Sequence, residues 1–281
     1  MGRFDITQTT EDSFWYWINE RHRIFLAKEA GEPKPWTKDE PMLDFKFTNV
    51  FRELDKGTVS LRKMEQGQSS PKWLLWNTMW YRLFNRYEHA SDIGWNEDYD
   101  ELRDKMTLLY NTGNLIFTSA HMTVGKAGEP KITTMLNSLS VVYEELDPLL
   151  DDILKGRTLE SAFRRLQRYM GIGPFISYEM VSDLRHHILS EAPDIMSWCN
   201  LGPGCKRGLE RLGKFPHIDS CIDLLSRASE NVGDHLLNHV RHKGWPYFEL
   251  REIEHSLCEF DKHQRLVNKT GKPREKYNGR T

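Results

Sequence analysis

Apolar residues in this chain recur at three- and four-residue spacing in one segment after another, and no long run alternates apolar with polar. The first pattern turns one face of a helix inward, and the second is what a half-buried strand needs. The chain is therefore expected to be mainly α. Ser13 to Lys28 is one such helix, capped by Asp12 or Ser13, with Phe14, Trp17, Ile18, Ile24 and Phe25 at its apolar positions. The same spacing predicts helices over 72–87, 99–110, 132–154, 159–169, 175–187, 219–241 and 250–266. In 111–128 glycines and β-branched residues leave a short strand pair open.

Proline punctuates this pattern early. Pro33 and Pro35 break the chain before Trp36, after which Thr37 or Asp39 can cap a new helix. A helix is expected from near Asp44 through Phe47, Val50, Phe51 and Leu54. On it Asn49, Arg52 and Asp55 fall at i, i+3 and i+6 and share a face. That stripe reads either as a surface ion pair or as the polar wall of a pocket.

The 281 residues allow one large domain or two packed ones. A single helical catalytic domain over 1–262 is expected, with two subdomains parting near 112–160 as the alternative. A basic tail, 263–281, follows. From Lys262 onward the chain carries Lys262, Arg265, Lys269, Lys272, Arg274, Lys276 and Arg280 against Glu275 alone. It is either a solvated tail or a DNA-facing one. A net charge of −2 excludes a histone-like binder but leaves room for a local basic face. The four cysteines include no CxxC pair, which removes the usual zinc and redox spacings, and no metal is implied. No apolar run of about 18 residues and no leader are seen, so a reducing cytoplasm is the expected setting.

Two glycine turns stand between predicted helices. One is Met170-Gly171-Ile172-Gly173-Pro174; the other is Leu201-Gly202-Pro203-Gly204-Cys205-Lys206-Arg207. Glycines let backbone amides at a helix start approach a phosphate, and Lys206 and Arg207 add charge. A plain helix stop is the alternative for each turn, and the preferred reading of the first, which lacks the two cations. On the last helix Glu254, Cys258 and Asp261 form one polar stripe, and His255, Glu259 and Lys262 form another. Both cannot be fully buried on this reading, and the stripe with the thiol is preferred for a site.

Several of these runs together resemble a known family. They are Glu20-Arg21, Pro35-Trp36-Thr37-Lys38-Asp39, the run from Phe47-Thr48-Asn49 to Asp55, Trp76-Asn77 to Asn85, the Gly171–Asp183 turn and helix, and Ile253 to Lys262. The set is similar to the helical domain of 5-hydroxymethyluracil DNA kinases and the related thymine-hypermodification enzymes of bacteriophages, the glutamyl- or putrescinyl-thymine pyrophosphorylase and amino-acid:DNA transferase group. The resemblance implies an all-α, DNA-glycosylase-like fold with helix-hairpin-helix turns. It also implies chemistry on hydroxymethyluracil in DNA inside an infected bacterial host. A kinase member would need GxxxxGK followed by Ser or Thr; Gly125-Lys126-Ala127-Gly128 does not match.

The expected activity is thus a transferase that displaces pyrophosphate from activated 5-hydroxymethyluracil with an amine, glycine or putrescine for example. Asp55, Arg52, Glu254, Asp183 and Glu259 are the catalytic candidates. Asn49, Trp76, Asn77, Arg82, Tyr178, Gly202, Gly204, Lys206, Arg207 and Lys262 are the candidates for substrate and DNA. Amides suit a uracil edge, aromatic rings suit a flipped base, and cations suit a leaving pyrophosphate. Mg²⁺ could accompany that pyrophosphate. The partners implied are double-stranded DNA bearing modified thymine, a free amine or amino acid, and a hydroxymethyluracil DNA kinase. A glycosylase and a non-catalytic DNA-binding partner of such a kinase are the alternatives.

Overall fold

The computed structural model describes residues 10–118, 125–242, 248–271, 276–277 and 279–280. Lys272 and Arg274 of the tail, and part of the 111–128 segment, lie outside the described residues. The helices in chain order are α1 (Glu11–Glu29), α2 (Glu40–Asp44), α3 (Lys56–Glu65), α4 (Pro71–Phe84), α5 (Tyr87–Ile93), α6 (Tyr99–Asn111), α7 (Lys131–Glu144), α8 (Leu146–Gly156), α9 (Leu159–Leu166), α10 (Pro174–Leu184), α11 (Pro203–Arg211), α12 (Ile218–Ser226), α13 (Ala228–Asn231), α14 (Asp234–His242) and α15 (Leu250–Val267). The chain is mainly α: helix makes up 64% of the described residues, which contain no strand, only an isolated bridge between Phe45 and Lys276.

Two predicted helices are subdivided. The stretch 132–154 breaks at Glu145 into α7 and α8, three residues before Pro148, which has no N–H to continue the first helix. The stretch 219–241 becomes α12, α13 and α14, with Val232 extended before Gly233. The first glycine turn places Gly171 at φ +80°, a conformation that a side chain strains, and Gly173 then precedes Pro174 at the start of α10.

The chain forms two compact units. One joins 1–52 to 196–281, and the other is 53–195. The partings at 52/53 and 195/196 differ from the division near 112–160 that the sequence suggested. They follow instead the return of residues 196–281 to the unit that holds α1.

In the first unit α15 is central. Its Ile253, Leu257 and Phe260 are fully buried, and the Phe260 ring meets Phe14 of α1 edge-on at 5.5 Å. The described tail is docked: Tyr277 and Gly279 donate backbone N–H groups to Asp44 and Leu43, and Arg280 pairs with Asp44 at 2.7 Å. In the second unit α4 is central, and every residue from Leu74 to Phe84 is buried. Burying such a side chain contributes roughly 1.5–3 kcal/mol, so Trp76, Met79, Trp80 and Leu83 make α4 the organiser of that unit.

Candidate functional site

The segment 45–51 is not helical. Phe45 ends α2 in an extended conformation, with φ −131° and ψ 149°. The groups a helix would pair internally are claimed from elsewhere. Arg21 on α1 donates from Nε to the Thr48 carbonyl (3.0 Å), and from Nη2 to the Phe47 carbonyl (3.2 Å) and Asn49 Oδ1 (2.6 Å). The Thr48 N–H donates to Glu259 Oε2 at 3.2 Å, and Lys262 Nζ donates to the Lys46 carbonyl at 2.5 Å while lying over the Phe47 ring. Charge-assisted bonds of this kind outweigh local helix propensity. The expected Asn49-Arg52-Asp55 stripe is corrected accordingly. Arg52 opens a short 3-10 turn to Leu54, and Asp55 is the N-cap of α3, where its side chain makes no cap bond.

The other signature residues form a second cluster, which starts from Glu20, the sequence neighbour of Arg21. Glu20 accepts from Thr37 Oγ1 at 2.5 Å and from both arms of Arg23, which also donates to the Trp36 carbonyl. Asp39 caps α2 through the Met42 N–H (3.0 Å) and accepts from His263 Nε2 at 2.9 and 3.0 Å. The Asp39 and His263 side chains are each 1% exposed. His263 escaped the sequence reading because its partner lies 224 positions away and nothing local marks it. Asn49, Glu259 and Lys262 are thus brought together, with Glu259 and Lys262 also paired at 3.2 Å.

The stripe of Glu254, Cys258 and Asp261 on α15 faces α11. Glu254 is 5% exposed, with Oε1 beside Gly202, the residue preceding α11. Cys258 packs on Gly204, and the Leu257 carbonyl lies against Gly208. Glycine at 204 and 208 therefore serves close helix packing, a role apart from the phosphate turn or helix stop expected for Gly202 and Gly204. Asp261 is 0% exposed and accepts from Arg207, Arg211 and Arg265. Glu254, His255 and Asp261 are buried, whereas Cys258 is exposed and Glu259 and Lys262, though bonded to each other, are half-buried. As expected, the two stripes are not both fully buried. Lys206 and Arg207 remain exposed.

In the second unit the candidates are held by their own neighbours. Asn77 Nδ2 donates to the Trp73 and Asn96 carbonyls, both at 2.8 Å, while its Oδ1 accepts from Trp80 Nε1 and the Asn96 N–H. Trp76 is fully buried and donates to Asn96 Oδ1. Tyr178 is 5% exposed on α10. Arg82 meets Asp183 in two parallel bonds and also reaches Thr58 and Asn85. Burial works to raise the Asp183 carboxyl, but the Arg82 charge and bonds outweigh it and hold it below the ordinary value. Asn77, Trp76, Arg82 and Asp183 therefore turn their polar groups inward in this structure. The expected contacts with a base edge or phosphate are corrected to fold-stabilising ones.

Residues 8–272 match the family described as "5-hmdU DNA kinase, helical domain". The chain belongs to that family. It is 27% identical over 286 residues to a "5-hmdU DNA kinase" of Bacillus phage SP10, a match covering 91% of this chain and 45% of the relative. The chain thus spans less than half the length of the curated relative it matches. No solved structure matches.

In this 5-hmdU DNA kinase helical-domain chain the four cysteines are free thiols. Cys205 and Cys221 approach to 3.9 Å, and hydrogen bonding to Cys221 together with burial raises Cys199 and Cys205 well above the ordinary thiol range. Those two raised thiols suit packing better than nucleophilic attack, whereas the same hydrogen bonds draw Cys221 down to about 4. Among the described residues no three His, Cys, Asp or Glu side chains are arranged to hold a metal ion, and no helix is long and apolar enough to cross a membrane. A small cleft in the second unit, lined by Trp80, Phe84, His89, Met106 and neighbours, carries no carboxylate.

Proposed function

We propose that this chain is a DNA base-hypermodification transferase on a glycosylase-like helical scaffold. Its substrate is 5-hydroxymethyluracil in DNA already activated as the pyrophosphate ester, supplied by a hydroxymethyluracil DNA kinase in a phage-infected cell. An amine attacks the methylene carbon, the C–N bond forms as the C–O bond breaks, pyrophosphate leaves, and the amine proton passes to a carboxylate. The amine is an amino acid such as glycine or a polyamine such as putrescine.

The observation that supports this reading is the convergence of the family's signature residues. Glu20, Arg21, Thr37, Asp39, Asn49, Glu259 and Lys262 come from distant parts of the chain into two bonded clusters that start from the neighbouring Glu20 and Arg21 of α1. The fold alone does not require so many charged groups there. Cations for the leaving group and carboxylates for the amine are both at hand: Lys206 and Lys262 for the first, Glu254 and Glu259 for the second. Arg82 and Asp183 leave the list, since they neutralise each other.

The test is one incubation. DNA carrying pyrophosphorylated hydroxymethyluracil is mixed with the protein and a panel of amines, with and without Mg²⁺, then digested for nucleoside mass spectrometry. A heavier nucleoside with release of pyrophosphate is expected. No mass shift with any amine sinks the transferase. Free base and abasic sites would make the chain a glycosylase. Binding with no product would make it a DNA-positioning partner, a reading favoured by its match to only 45% of a named kinase.

A further inference from the structure

We propose that Arg207, Arg211 and Arg265 form a clamp for the phosphodiester backbone of DNA, set in place by the buried Asp261. The inference rests on the DNA reading above and adds two arginines and an organising carboxylate to it.

The chain contains its own comparison. In the second unit one arginine satisfies one buried aspartate: Arg82 uses Nε and Nη2 on both Asp183 oxygens, and its remaining Nη1 and Nη2 hydrogens reach Asn85 and Thr58. That guanidinium is consumed. In the first unit one buried aspartate draws three arginines. Each touches it only through Nε: Arg207 at 2.9 Å, Arg211 at 2.8 Å and Arg265 at 3.2 Å. The Nη groups of all three have no partner among the described residues. The side chains are 48%, 24% and 34% exposed, whereas Asp261 is 0% exposed.

A buried carboxylate needs one good guanidinium to offset its desolvation. Two more leave a net charge of +2 on this patch, with paired N–H donors aimed away from the aspartate. Glu210, the one acid of α11, makes no ion pair with them. Lys206 is exposed one residue before Arg207. Anchoring through Nε fixes each fork and leaves its outer edge free, the arrangement that bidentate phosphate recognition requires. The three forks lie on an open face of α11 and α15. Such a face suits a polyanion running past it; a pyrophosphate calls for donors that enclose it.

The test uses the full chain and a fluorescently labelled duplex of unmodified DNA, with anisotropy read across a salt series. Arg207→Ala and Arg265→Ala are each expected to flatten the plot of log affinity against log salt by about 1, and the double variant by about 2. Each single variant leaves Asp261 two arginines, and a thermal melt checks the fold. Arg265→Lys, which keeps the charge, is expected to retain the wild-type slope. Wild-type slopes in both alanine variants, or no duplex binding by the parent chain, overturn the clamp. So does displacement of the duplex by micromolar inorganic pyrophosphate, which would make this the leaving-group site. Because the duplex carries no activated base, the clamp and the transferase fail independently: mass spectrometry decides one and anisotropy the other.

Discussion

Arg82 and Asp183 grip each other through two bonds, Nε to Oδ2 at 2.5 Å and Nη2 to Oδ1 at 2.8 Å, with side chains 3% and 4% exposed. The pair joins α4 to α10 across the middle of its unit. Removing one partner strands the other charge in a place water does not reach. Arg82→Ala is therefore expected to cost about 3–5 kcal/mol in urea denaturation. An apolar replacement of both, Arg82→Met with Asp183→Leu, should recover most of that loss. A single-variant loss under about 1 kcal/mol would show the pair to be dispensable.

The same pair gives the protein an acid-sensitive limb. In the folded state the Asp183 carboxyl lies below its ordinary value of 3.8, because Arg82 outweighs the opposing effect of burial. A depressed folded pKa means that the stabilisation is fully present above the unfolded value and is lost as pH falls through the folded one. Urea midpoints should drop as pH falls below about 4, and Asp183→Asn, already weakened, should show a shallower drop. Parallel acid profiles for the two proteins would assign that limb to other carboxylates.

Gly208 is expected to resist any side chain. An added Cβ would meet the backbone carbonyl and Cβ of Leu257, and backbone cannot step aside as a flexible side chain can. Gly208→Ala should cost about 1–3 kcal/mol or more despite alanine's better helix propensity. Gly31→Ala is a useful contrast: its φ of +72° strains the new residue, but nothing lies within 4 Å. If Gly208→Ala melts with the parent protein, α11 does not pack on α15 as described.

Much of the helical content was legible because periodicity is local. The helix over 13–28 appears as α1, and that over 250–266 as α15. What misled was also local. The apolar spacing of Phe47, Val50, Phe51 and Leu54 fits a helix, yet Arg21, Glu259 and Lys262 hold the backbone of 46–48 open. No window of sequence contains all of these partners. Arg82 and Asp183 were each visible as charged residues, but their distance of 101 positions hid that each answers the other. The roles of Asp261 and His263 were hidden in the same way.

Asp55 separates the structural from the chemical role of the opening signature. It begins α3 with an extended backbone, but its carboxylate makes no cap bond. A urea titration of Asp55→Asn separates any loss of fold from a loss of chemistry. If the carboxylate orients or deprotonates the amine, product in the mass-spectrometric assay disappears. Unchanged turnover would remove Asp55 from the site.

Arg21 carries the sharpest prediction, because it holds a segment in place and lies among the signature residues. Its three bonds to 47–49 are charge-assisted, and such bonds contribute roughly 1.5–3 kcal/mol each before any are shared. Arg21→Lys keeps the charge but loses the planar fork that reaches two carbonyls and an amide at once. The lysine variant should thus fall between the parent and Arg21→Ala in stability. Hydrogen exchange at the Thr48 amide reports the segment directly, since that N–H is held by Glu259. Faster exchange in Arg21→Ala and in Glu259→Gln, with α4 amides unchanged, is the expected pattern. If Thr48 exchanges at the parent rate in both, the 46–49 segment keeps its shape without this network, and the convergence of signature residues loses its claim to be a site.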